Sequence, residues 1–135
     1  TPKPSSAASD VYKRQRPDFV ILVYPVITMK EQGHAGSRRN LLGAEPAADM
    51  VELFSNELQV TKDCPPAFLA HAVDDKPVPI ENSILFYDAQ RAQGLPAKLL
   101  RLPDGGHGLS GYKGPSWDAW QAAAIDWLRE RRMIP

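Results

Sequence analysis

From Asp18 to Pro25 the chain reads Asp-Phe-Val-Ile-Leu-Val-Tyr-Pro, an apolar, β-branched and aromatic run with no polar alternation, closed by a proline. That is the pattern of a strand buried on both faces. Such a strand, here strand A, needs a layer above and a layer below it. It therefore points to a parallel sheet covered by helices.

The rest of the chain keeps to that plan. Ala67 to His71 is a second short buried strand, B, set off by the Pro65-Pro66 pair. Pro79 marks a helix start, and Ile80 to Gln93 carries Ile84, Leu85, Tyr87 and Ala92 before Gly94 stops it. Lys98 to Leu102 is strand C. Ser116 then opens a last helix whose Trp117, Trp120, Ala124, Trp127 and Leu128 make a wide apolar stripe for burial against the sheet. Between strands A and B, Val26 to Lys62 is polar and irregular. Ser37 is a candidate cap for a turn running from Arg38 to Leu42 and ending at Gly43, and Ala47 to Asn56 is a candidate helix with Met50, Val51, Leu53 and Phe54. Residues 1–17 lack apolar periodicity and read as a disordered or spurious lead-in. Within them, Ser9-Asp-Val-Tyr-Lys-Arg-Gln15 resembles the translation of a sequencing-library adapter. The ordered unit is expected over residues 18–132.

Charge and composition exclude several functions. Sixteen basic residues balance sixteen acidic ones, and no Lys/Arg run is long enough for a nucleic acid or an anionic membrane surface. The longest apolar run, Phe19 to Val23, is far too short to cross a bilayer. The lone Cys64 excludes a disulfide framework and reads as a loop or strand-edge thiol. The three histidines show no ligand spacing on one helix, so neither a metal nor another cofactor is expected.

Strand, helix, strand, helix with short connections makes parallel βαβ units, and the working crevice of such a sheet lies at the carboxyl ends of its strands. Asp74 and Asp75 follow strand B. His107, in Gly105-Gly106-His107-Gly108, follows strand C. A carboxylate and a histidine on neighbouring loops are two members of a nucleophilic triad: the imidazole takes the proton of a serine, and the carboxylate holds its tautomer and stabilises its charged form. Asp75 and His107 are the candidates for those roles. The glycines around His107 let its loop come close to the neighbouring strand ends.

The motifs His71-Ala-Val-Asp-Asp-Lys-Pro-Val-Pro79, Glu81-Asn-Ser83, Gly94-Leu-Pro-Ala97 and Gly105-Gly-His-Gly108 resemble, as a set, the C-terminal half of an α/β-hydrolase. The resemblance is to the esterase and acetylxylan-esterase-like group, near the dienelactone hydrolases and prolyl oligopeptidases, and runs from about Arg16 to Leu128. It implies an α/β fold holding the C-terminal three parallel strands of the hydrolase sheet with their flanking helices. It also implies that the acid stands three residues before a Val-Pro pair; counting back from Val78-Pro79 gives Asp75. Asp74 is the less favoured choice of acid, and its alternative role is that of a turn residue capping backbone amides. By the same resemblance His71 is structural, with its imidazole hydrogen-bonded at the strand end, and His34 lies in the insertion that roofs the site, a loop histidine with a substrate contact as the alternative.

The activity implied is that of a serine carboxylic-ester hydrolase deacetylating a carbohydrate such as xylan, so the partner is a small ester or acylated carbohydrate. A prolyl-oligopeptidase-like peptidase shares this layout. A non-catalytic binding domain with a degenerate site is the alternative of another class. One departure from the pattern is large: no serine here stands in a G-x-S-x-G turn. Ser110, in Gly108-Leu-Ser110-Gly111, fails because Tyr112 occupies the last glycine position. The nucleophile and the oxyanion-hole amides are expected before Arg16, and the chain as it stands is expected to be inactive.

Overall fold

The computed structural model describes residues 16–135. The adapter-like stretch and most of the lead-in lie outside the described residues. Three parallel strands, β1 (Val20–Val23), β2 (Ala67–Ala72) and β3 (Ala97–Leu102), form one sheet in the order β1-β2-β3. Helices α1 (Ala35–Leu42) and α2 (Ala48–Leu53) and a 3-10 turn (Asn56–Leu58) fill the connection from β1 to β2. Helix α3 (Glu81–Ala92) joins β2 to β3, and α4 (Pro115–Glu130) closes the chain. This is a three-stranded parallel sheet flanked by helices, a partial α/β-hydrolase fold.

Register aligns Val20 with Ala67, and Ala67 with Ala97. All six residues of β2 are buried. Alternation sends Phe68, Ala70 and Ala72 into a cluster with Leu102, Ala124 and Trp127, so this face is covered by α4. Ala67, Leu69 and His71 take the other face, where His71 meets Ser83 of α3. Two aromatic contacts lock α4 down: the Trp127 ring lies 5.8 Å from Phe68 and 6.4 Å, edge-on, from Phe19.

Strand A was expected to be buried on both faces, yet all of β1 is only half-buried. The reason is its place in the sheet. Among the described residues it pairs on one side only, with β2, and the doubly covered environment belongs to the central strand.

Local signals fared differently at the helix ends. Ser37 does not cap α1. The cap is His34, whose Nδ1 accepts the Ser37 amide at 3.1 Å, while Gly43, at φ +90°, ends the helix as expected. The helix read over Ala47 to Asn56 stops at Leu53, because the Asn56 amide leaves the helix to donate to Ile27 O at 2.9 Å. In α4, Pro115 rather than Ser116 takes the first turn; the Ser116 hydroxyl instead donates to Asp104 Oδ1 at 3.1 Å.

Candidate functional site

Two loops leave the carboxyl ends of β2 and β3 side by side. The β2 loop begins when the Val73 amide donates to Leu102 O at 2.9 Å, which continues the parallel ladder and carries Asp74 and Asp75 to the rim. The β3 loop carries His107. Its glycines are required where the backbone is tightest: Gly105 has φ +112°, and a Cβ there would come within 3.1 Å of Leu109 Cα. The turn that follows is left-handed, with Leu109, Ser110 and Tyr112 all at positive φ, and it is pinned by the fully buried Leu109 side chain.

The loops meet through three side chains. Asp75 Oδ2 accepts from His107 Nδ1 at 2.9 Å, although the two residues are 32 positions apart. The Asp75 side chain is 0% exposed and that of His107 is 40% exposed. Asp75 Oδ1 accepts the Val78 amide at 3.0 Å. Asp74 turns the other way and accepts the Gly106 amide at 2.8 Å, tying the histidine loop to the aspartate loop. A carboxylate can only accept, so His107 Nδ1 carries a proton and its Nε2 presents a lone pair. That nitrogen can take a proton from a hydroxyl and return it to a leaving group.

Other residues frame the pair. The Tyr24 ring packs against His107 with centroids 4.6 Å apart. Tyr24 has φ +40°, a costly conformation for an aromatic residue, and it sits where β1 ends against Pro25. Burial, then the neighbouring Tyr112, then the Asp75 charge push its phenol above the ordinary tyrosine value. Sequence reasoning missed Tyr24, yet a signal was present: it stands at the carboxyl end of its strand, the edge where parallel sheets carry their crevice. Ser83 and Asn82, read only as parts of a motif, are both fully buried. Asn82 Oδ1 accepts the amides of Ile27 and Thr28 at 3.0 and 3.2 Å, and its Nδ2 donates to Gln32 O at 2.9 Å. It thereby fastens the segment after β1 to the start of α3.

The remaining candidates lie apart from this centre. His34 is committed to the α1 cap. Ser110 donates its amide to Gly105 O at 2.8 Å within the left-handed turn, and no hydrogen bond joins its hydroxyl to His107 among the described residues. Cys64 is half-buried, with its sulfur 3.4 Å from the Thr61 amide. Among the described residues no group of three His, Cys, Asp or Glu side chains could hold a metal ion. No described helix is long and apolar enough to cross a membrane.

A model of the prolyl oligopeptidase family matches residues 23–132, which include both loops. The chain belongs to the prolyl oligopeptidase family. Among its relatives, this family member is 43% identical over 105 residues to endo-1,4-beta-xylanase B of Butyrivibrio fibrisolvens, covering 78% of this chain and 16% of that protein. It is 40% identical over 99 residues to an acetylxylan esterase of Xylanibacter ruminicola, covering 70% and 21%. Among solved structures, it superposes on an acetyl ester-xyloside bifunctional hydrolase from Caldicellulosiruptor lactoaceticus with a TM-score of 0.84 and 37% identity, covering 89% of this chain and 44% of that one. The chain thus spans less than half the length of these relatives.

Proposed function

We propose that this family member is part of a serine carboxylic-ester hydrolase that deacetylates a carbohydrate such as xylan, with Asp75 as the acid and His107 as the base. The observation that carries the reading is the buried Asp75 carboxylate 2.9 Å from Nδ1 of a half-exposed His107. Likeness to an acetylxylan esterase and to an acetyl ester-xyloside hydrolase supports the substrate class.

In this reading the attacking serine comes from a G-x-S-x-G segment outside the 135 residues. Its hydroxyl gives its proton to His107 Nε2 as the oxygen adds to the acetyl carbonyl. The imidazolium, stabilised by Asp75, then protonates the departing sugar oxygen. In the second half His107 takes a proton from the water that adds to the acyl-serine carbonyl, and returns it to the serine oxygen as that bond breaks and acetate leaves. Asp75 stays ionised throughout and keeps the ring in the Nδ1–H tautomer.

The match to the prolyl oligopeptidase family favours a second reading, a serine peptidase, because the same acid and base serve either leaving group. A chain carrying a G-x-S-x-G segment together with residues 16–135 separates the two when assayed on acetylated xylan and on proline-containing peptides. Acetate release that is lost in His107→Ala is the expected result. Peptide cleavage without acetate release overturns the esterase reading, and no hydrolysis of either substrate favours a binding domain.

A further inference from the structure

His71 is more than an imidazole filling the end of β2. It is fully buried, and both ring nitrogens have defined partners. Nε2 lies 2.8 Å from the carbonyl oxygen of Val78, a group that only accepts, so Nε2 carries the proton. The same N–H reaches Asp75 Oδ2 at 3.2 Å. Nδ1 is then a lone pair, and the Ser83 hydroxyl donates to it at 2.7 Å. Burial lowers the affinity of this ring for a second proton, against the opposing pull of Val78 O and Asp75, so the ring favours its neutral form.

Asp75 Oδ2 therefore sits between two imidazoles, with His71 on its buried side and His107 on its site side. Its other oxygen is held by the Val78 amide, and the Val78 carbonyl holds His71 in turn, which closes a ring of three hydrogen bonds around the carboxylate. A histidine with only a packing role would be satisfied by Ser83 and Val78. The third contact is the informative one.

We propose that His71 is a positioning residue for the Asp75–His107 pair: its Nε2–H, kept in that tautomer by Val78 and Ser83, orients the Asp75 carboxylate so that Oδ2 faces Nδ1 of His107. The proposal rests on reading Asp75 and His107 as acid and base. A His71 that favours its neutral form also holds the carboxylate without adding a charge that would weaken the pull of Asp75 on His107.

The test is the tautomer of each ring, read from histidine nitrogen chemical shifts by NMR of the chain. In the wild type, His71 is expected as Nε2–H and His107 as Nδ1–H. His71→Gln carries an N–H to nearly the position of Nε2, so His107 keeps its tautomer. His71→Asn reaches Ser83 but not Asp75, and the Nδ1–H to Nε2–H ratio of His107 is expected to fall about tenfold, the worth of one hydrogen bond, with the near-ultraviolet dichroism unchanged. A wild-type His71 in the Nδ1–H form overturns the proposal, as does a His107 tautomer ratio that is the same in all three proteins. Should His71→Asn fail to fold, the wild-type assignment and the Gln variant decide, because loss of the His107 Nδ1–H form in folded His71→Gln also overturns it. The readout needs no turnover. Failure of the serine-bearing chain to release acetate strikes at the esterase reading and leaves this measurement standing.

Discussion

The Gly106 amide donates to Asp74 Oδ1 at 2.8 Å, one residue before the ring that meets Asp75. Neighbouring aspartates thus divide the work, Asp74 holding the backbone of the histidine loop and Asp75 holding its side chain. Asp74→Ala removes an exposed anchor worth about 1 kcal/mol, while Asp74→Asn keeps an acceptor at the same place. In a serine-bearing chain we expect kcat/KM on acetylated xylan to fall about tenfold in the Ala variant, with the Asn variant near wild type. An Ala variant as active as the wild type would show that the loop needs no such tie.

Asp75→Asn should be the most damaging isosteric change. The Val78 amide demands an oxygen at the Oδ1 position, so the new NH2 group occupies the Oδ2 position, where it faces the N–H groups of both His71 and His107. His107 can then satisfy it only by becoming an acceptor at Nδ1, which moves its proton to Nε2 and removes the base. The loss in kcat is expected to be about ten-thousandfold, the size of effect that loss of the correct histidine tautomer has in a serine-protease triad. Steady-state kinetics of the variant checks it.

The depressed proton affinity of His71 has a consequence for stability. Its unfolded-state value is the ordinary 6.5 and its folded-state value is lower. Below about pH 6.5 the unfolded chain binds more protons than the folded one, so stability falls as the pH drops from there towards the folded value, by at most about 1.4 kcal/mol per pH unit for this one group. Above that range both states are neutral at His71 and its contribution is flat. Urea melts at pH 8, 6 and 5 should show the wild type losing more stability on acidification than His71→Gln. Parallel pH profiles would refute the assignment.

Phe68 lies fully buried on the face of β2 that α4 covers, 5.8 Å from Trp127. Phe68→Ala leaves a cavity between sheet and helix and is expected to cost about 3–5 kcal/mol, a large fraction of a small domain's stability. Thermal melting followed by circular dichroism measures it. Ile125→Ala, on the exposed side of α4, should change the midpoint little.

By itself the sequence determined the order of elements, because apolar runs without alternation, Pro-Pro and Gly punctuation, and the tryptophan stripe of α4 are all local signals. It also marked Asp75 and His107 as partners, since residues that follow neighbouring parallel strands come out on one edge. What it could not carry was decided by contacts between segments far apart in the chain. That β1 is half-buried while β2 is wholly covered follows from sheet order, which no single strand encodes. The choice of His34 over Ser37 as cap, and the early end of α2 where Asn56 turns to Ile27, came from competition among nearby donors and acceptors that only packing resolves. Most of all, His71 was legible as a strand-end histidine but not as the second imidazole on Asp75. That role depends on Val78 and Ser83 meeting one ring, and the α3 crossover brings them there through angstrom-scale geometry rather than through any spacing in the chain.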